Sequence, residues 1–130
     1  MLDDINELLD DAIGAHKAKD FNSAAVKYKK ILEHDAHHAD ANHNFGVLTV
    51  ELGFNDEALI FLQTAINTNP SVLQYWVTFV DTLINADRFD DARSVLEEAY
   101  LFGYRDEVFD HLRHNLDLKQ QEIDTSIKYD

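Results

Sequence analysis

The residues of this chain best suited to chemistry are its histidines. His34, His37, His38 and His43 crowd one connection, HDAHHADANH, and imidazoles four residues apart on a helix can share a metal ion. The helical rhythm on either side, however, puts His34 at a helix end, His37 and His38 in a turn and His43 inside the next helix. Convergence on one ion is therefore not implied. They read as polar connection residues that take up nickel or zinc adventitiously, and His111 and His114 are a thinner case of the same kind. Asp and Glu number 25, but an acid and base pair needs a pocket that separates two pKa values, which solvated carboxylates do not provide. Gly14, Gly46, Gly53 and Gly103 are dispersed and no strand precedes any of them, so no loop is built to cradle a phosphate. The absence of cysteine excludes disulfides and thiolate metal sites. The expectation is no catalytic residue, no metal and no cofactor: not an enzyme, but a surface for holding something else.

The elements that would carry such a surface follow from composition and rhythm. A chain of 130 residues, 45% hydrophobic, allows one compact domain or a short repeat array. Scarce Gly and Pro with abundant Ala, Leu, Asp and Glu favour helix, so the expected class is all-α. The start, MLDDINELLDD, is acidic where a secretory signal would be basic, and no apolar run reaches membrane-spanning length, which makes the cytoplasm the expected address. The net charge is −14, and the stretch from Ile31 to Asp87 contains no Lys or Arg. Such a field repels phosphate backbones and anionic lipid surfaces, so neither nucleic acid nor membrane is an expected partner. The acidity either selects a basic partner or serves solubility alone.

A fixed period organises the chain. Ala24, Ala58 and Ala92 are spaced 34 residues apart, and three units align without a gap: Ile5 to His38, Ala39 to Val72 and Leu73 to Asp106. Helices are predicted over Leu2 to Ala18, Asn22 to Glu33, Ala39 to Leu52, Asp56 to Asn67, Val72 to Ala86, Asp90 to Leu101, and from Asp106 toward the end. Small residues such as Gly46 and Ala58 let the two helices of a unit approach closely. Lys19-Asp20-Phe21-Asn22, Gly53-Phe54-Asn55-Asp56 and Asp87-Arg88-Phe89-Asp90 supply the turns, each with an Asn or Asp placed to cap the following helix. Trp76, Phe79, Phe61 and Phe89 are expected in the core, and Tyr75 near a surface between repeats. Phe109, Leu112, Leu116, Ile123 and Ile127 form a stripe on the last helix, interrupted at Lys119 and Gln120.

On these residues the chain resembles the tetratricopeptide repeat family from Ile5 to about Gly103. The second unit supplies the family pattern with Gly46, Ala58, Leu62, Ala65 and Pro70, the third with Trp76, Phe79, Leu83, Ala92, Leu96 and Ala99, and the first with Leu8, Ala12, Ala15, Ala24 and Tyr28. Asn42 stands where the pattern has a large residue, Val80 where it has a small one and Ile31 where it has alanine. The resemblance implies an α-solenoid, a right-handed superhelix of antiparallel helix pairs. It would form a single domain over 1–130, with repeats at 5–38, 39–72 and 73–106 and a capping helix over about 106–130. The first helix of each unit would line a concave groove.

Carried over residue by residue, the implied groove contains Leu9, Asp10 and Ile13 with Asn6, His16 and Lys17. The second unit adds Asp40, His43, Asn44, Val47 and Glu51 with Val50, and the third Gln74, Val77, Thr78 and Asp81 with Ile84 and Asn85. Aliphatic strips (Leu9, Ile13, Val47, Val77, Ile84) beside acids (Asp10, Asp40, Glu51, Asp81) suit a peptide with basic and apolar residues. The family's cationic clamp for an acidic chaperone tail is missing, because its positions hold Leu9, Ile13, Asn44, Gln74 and Thr78, of which the asparagine alone is retained. Asn44 can instead donate to and accept from an extended peptide backbone. The expected function is thus a non-catalytic protein-interaction scaffold. The alternative is a regulatory or substrate-presenting module at the amino terminus of a larger bacterial glycosyl-, sulfo- or methyltransferase. The groove or the terminal apolar stripe could also pair two copies into a homodimer.

Overall fold

The apolar rhythm becomes seven α-helices in the computed structural model, which describes residues 2–129, and their side chains over 4–128. The two limits of the expected domain, Met1 and Asp130, lie outside the described residues. The helices are α1 (Leu2–Lys17), α2 (Phe21–His34), α3 (Ala39–Glu51), α4 (Asn55–Thr68), α5 (Leu73–Asn85), α6 (Phe89–Phe102) and α7 (Glu107–Tyr129). No strand occurs among the described residues. Every predicted boundary falls within about one residue of the observed one, well inside the usual fraying of helix ends. Lys119 and Gln120 do not break α7, which runs through them as one helix.

The chain divides into two compact units, one ending at Tyr75 and one beginning at Trp76, with the division inside α5. In the first, α1 packs on α2, α2 on α3, and α3 on α4. Ala12, Ala24, Tyr28, Phe45 and Leu48 form a continuous core, backed by the partly buried Leu9, Phe21 and Phe61. The close approach expected at Gly46 is direct: a Cβ built there would meet Leu62 Cδ2 at 2.5 Å and Cγ at 2.7 Å. Ala58, whose carbonyl oxygen lies 3.5 Å from the same point, is fully buried on the facing helix. In the second unit α7 packs on α6, and Phe109, Leu112 and Leu116 of α7 are buried. Trp76 packs with Phe102 and Tyr104, and Tyr104 in turn with Phe109, carrying the aromatic core onto the last helix. Val80, a departure from the small-residue pattern, is fully buried there.

The period also appears in the backbone. Lys19, Gly53 and Asp87, each 34 residues from the next, adopt positive φ of 62°, 92° and 60°. Each left-handed residue reverses the chain with the same pair of bonds: Lys19 N to His16 O and Asp20 N to Ala15 O, Gly53 N to Val50 O and Phe54 N to Thr49 O, Asp87 N to Ile84 O and Arg88 N to Leu83 O. This is the helix-ending arrangement that satisfies the last carbonyls of a helix. Glycine adopts it freely, while Lys19 and Asp87 hold it against the contact of Cβ with backbone.

The expected capping is corrected in two of the three turns. Asp20 caps α2 through Ser23 N at 3.3 Å. The equivalent cap positions are Phe54 for α4 and Arg88 for α6, and neither makes a side-chain cap bond. Both helices begin one residue earlier than predicted, so Asn55 and Phe89 are already helical and the acids of the first turn lie beyond the cap. The connection between the first two repeats is held by groups the pattern did not mark. His38 Nδ1 accepts from Ala41 N at 3.1 Å, and the buried Asn42 amide donates to Ala36 O at 3.0 Å and His38 O at 2.9 Å. Asn42 therefore ties down this turn from the position where the family pattern has a large residue.

Candidate functional site

Within the first unit, α1 presents Leu9, Asp10 and Ile13, α3 presents Asp40, His43, Asn44, Val47 and Glu51, and the start of α5 presents Gln74. Within the second, α5 presents Val77, Thr78 and Asp81. All twelve residues keep solvent exposure: Asp10, Asp40, Glu51, Gln74 and Asp81 are exposed and the other seven half-buried. Their helical neighbours Ala12, Ala41, Phe45, Leu48, Trp76 and Phe79 are buried, so the two faces of each first helix are cleanly separated. One expected member departs. Ile84 is 2% exposed and belongs to the core, where its methyl groups have no free surface to offer.

Two polar bridges link first helices of successive repeats, and both span 35 residues. In one, the Tyr75 hydroxyl donates to Asp40 Oδ1, while the Tyr75 ring stacks on His43 with centroids 4.8 Å apart. Burial, helped by the hydrogen bond and charge of Asp40, pushes the Tyr75 phenol far up and keeps it protonated. Burial lowers the His43 pKa, with Asp40 pulling partly the other way. In the other, His16 stands between the Tyr28 hydroxyl at 3.2 Å from Nδ1 and Glu51 Oε2 at 3.1 Å from Nε2. Tyr28 is fully buried, and desolvation with the Glu51 charge raises its pKa to about 12. Asp40 and Glu51, both expected to meet a basic ligand, thus already hold partners inside the array. The signal that could have found them is a polar pair spaced one repeat plus one residue apart, the offset that puts neighbouring first helices in contact.

Asn44 spends one amide hydrogen on its own helix, donating to Asp40 O at 2.9 Å. Its side chain also lines a cleft of about 300 Å³ together with Ile13, His16, Lys17, Lys19, Tyr28 and Glu51. The histidine connection is dispersed: His34 and His37 are exposed, His38 caps α3 and His43 stacks on Tyr75. Among the described residues no three His, Cys, Asp or Glu side chains gather as a metal set. No helix among them is long and apolar enough to cross a membrane.

Comparison with known proteins places this geometry. Residues 15–76 match the family model described as tetratricopeptide repeat. No curated protein matches the sequence. Solved structures do. The TPR2B domain of yeast Sti1, in its complex with pHsp70, superposes with a TM-score of 0.76 at 16% identity, covering 88% of this chain and 97% of its own. The Yersinia enterocolitica type III secretion chaperone SycD, in complex with a peptide of the translocator YopD, gives 0.73 at 14% identity and 95% of each chain. The Arabidopsis OM64 TPR domain gives 0.75 at 14% identity, covering 87% of this chain and 93% of its own. At such identities the likeness is one of fold.

Proposed function

Since this chain is a tetratricopeptide repeat protein, we propose that it is a non-catalytic scaffold that binds a peptide or helix bearing basic and apolar residues. The reading treats the repeats and α7 as one binding module over 1–130, acting in the cytoplasm on a protein partner and not on nucleic acid or lipid. The observation that carries it is the exposure pattern: all twelve expected groove residues remain accessible although their helical neighbours are core. In the first unit Leu9 and Ile13 of α1 and Val47 of α3 stay half open to water with Asp10 exposed, and in the second Val77 of α5 does so with Asp81 exposed, which leaves apolar and acidic surface for a ligand. Support also comes from relatives of the same fold, since Sti1 TPR2B is described with pHsp70 and SycD with a YopD peptide.

The bridged acids refine the chemistry of this reading. Asp40 and Glu51 set the local potential, whereas Asp10 and Asp81 are the acids offered to a lysine or arginine of the ligand. The remaining hydrogen-bonding capacity of Asn44 serves the ligand backbone. Calorimetric titration with peptides alternating leucine and lysine tests it. Binding near micromolar, about −8 kcal/mol, is expected, weakened by salt and by Asp81→Lys or Val47→Glu. Affinity indifferent to both substitutions would remove this surface as the site.

A further inference from the structure

We infer that the end of α6 is a second docking surface, whose occupant is an amphipathic helix of a partner protein with leucines on one face and lysines or arginines beside them. At the last turn of α6, Leu101 is 75% exposed and Phe102 50% exposed. Phe102 is held from behind by Trp76 and Tyr104, with ring centroids 5.9 Å and 5.5 Å away. An apolar group already fixed in place lowers the ordering cost of association. One turn earlier, Glu97 is four residues from Leu101, and Glu98 is three from Leu101 and four from Phe102, the spacings that share a helix face. Both acids are exposed, and neither forms an ion pair among the described residues. Arg105, which follows the helix, is engaged elsewhere: its guanidinium lies 3.5 Å from the Tyr100 ring centroid and donates to Tyr100 O. The last carbonyls of α6 add partial negative charge at the same end.

The other repeats show that the architecture does not require this patch. The positions of Leu101 and Phe102 are filled by Glu33 and His34 in the first unit and by Asn67 and Thr68 in the second, and all of them are exposed. The positions of Glu97 and Glu98 hold Lys29 and Lys30 in the first unit and Gln63 and Thr64 in the second. The third unit alone combines apolar side chains with acids there. An exposed leucine and phenylalanine add nothing to the stacking at positions that polar residues fill elsewhere, which marks them as contact surface. Charge then selects the occupant, because unneutralised acids beside the apolar pair repel an anionic surface and attract lysine or arginine. A helix supplies both at once, with leucines on one face and cations on its flanks. Since α6 is the second helix of its unit, this surface is separate from the first-helix residues of the groove, and the inference stands whether or not the groove reading holds.

The test uses the full chain and a peptide built from repeats of Leu-Lys-Lys-Leu-Leu-Lys-Ala, with two control peptides, one carrying glutamate for each lysine and one serine for each leucine. NMR follows the Leu101 methyls, the Phe102 ring and the Val47 methyls. The lysine peptide should move the Leu101 and Phe102 signals saturably, and should still do so in a Val47→Glu background. Leu101→Ser, too exposed a change to threaten the fold, should weaken that binding about tenfold, and Glu98→Lys about threefold. Ile60→Ser removes a comparably exposed side chain from α4 and should leave it unchanged. Both control peptides should bind at least about tenfold more weakly. Shifted Leu101 signals beside unmoved Val47 methyls would support this surface and sink the groove; the reverse pattern would overturn this surface and leave the groove standing. A glutamate peptide that binds as well as the lysine peptide, or Ile60→Ser weakening binding as much as Leu101→Ser, would overturn the proposal. Leu101 signals that move when the protein alone is concentrated would give this face to a second copy and overturn the assigned partner.

Discussion

At Gly46 a single hydrogen sets how closely two helices pack. Alanine would gain about 1 kcal/mol of helix propensity, but its methyl would press into the branch point of a fully buried leucine. Gly46→Ala should therefore destabilise by about 1–3 kcal/mol in urea unfolding. Leu62→Ala alone should cost about 2–5 kcal/mol, and the double variant less than the sum because the two changes relieve each other. Titration gives a second test at this scale. His43 has a lowered pKa, so the unfolded chain takes up a proton below about 6.5 while the native state resists it. Its contribution is complete above that pH and is lost as pH falls through it, so the urea midpoint should drop between about pH 7.5 and about pH 5.5. His43→Phe should shrink that drop. Tyr28 acts at the alkaline end together with Tyr75: with its pKa raised from 10.0 to about 12, stability should fall as pH rises above 10.0, and Tyr28→Phe should lessen that fall while Tyr75 keeps the rest of it. Gly46 was legible in the sequence because the requirement for a small residue recurs with the period. The two bridges were not, because their partners are fixed by how the first helices of successive repeats meet, nor was the Asn42 amide, whose acceptors Ala36 O and His38 O are set by the shape of the connecting turn.

The helices were legible almost to the residue, since a 3.6-residue stripe with a turn every half period leaves little freedom. Their caps were not. A sequence shows that Asn55 and Asp90 lie near a helix start, but the left-handed residues at Gly53 and Asp87 fix the start one position earlier, leaving Phe54 and Arg88 at the cap. Each is a place where the natural helix is under-capped. Phe54 is 54% exposed, so Phe54→Asp gives up little packing and should stabilise by about 1 kcal/mol. Asp20→Ala, removing the one side-chain cap among these three, should destabilise by about as much. Thermal melts of both variants check the pair. The last helix shows how local rhythm can mislead in the other direction: the stripe from Phe109 to Leu116 is buried, while Ile127 is 72% exposed on an unbroken helix.

For the whole molecule, the period of 34 residues carried the architecture and the family resemblance together, because repeats constrain every unit at once. The candidate site was legible only as a set of positions. Which of its acids remain available depends on bridges such as Asp40 with Tyr75, whose partner stands in the next repeat. Self-association is a property of this scale too, and light scattering over a concentration series separates a free surface from one occupied by a second copy. The most direct test is titration of a leucine and lysine peptide followed at the Leu9, Ile13, Val47 and Val77 methyl signals. Saturable shifts at these four, with a dissociation constant near micromolar and a loss of at least about tenfold on Val47→Glu, are expected. Binding that leaves all four signals unmoved, or that Val47→Glu does not weaken, would contradict recognition on these open faces of α1, α3 and α5.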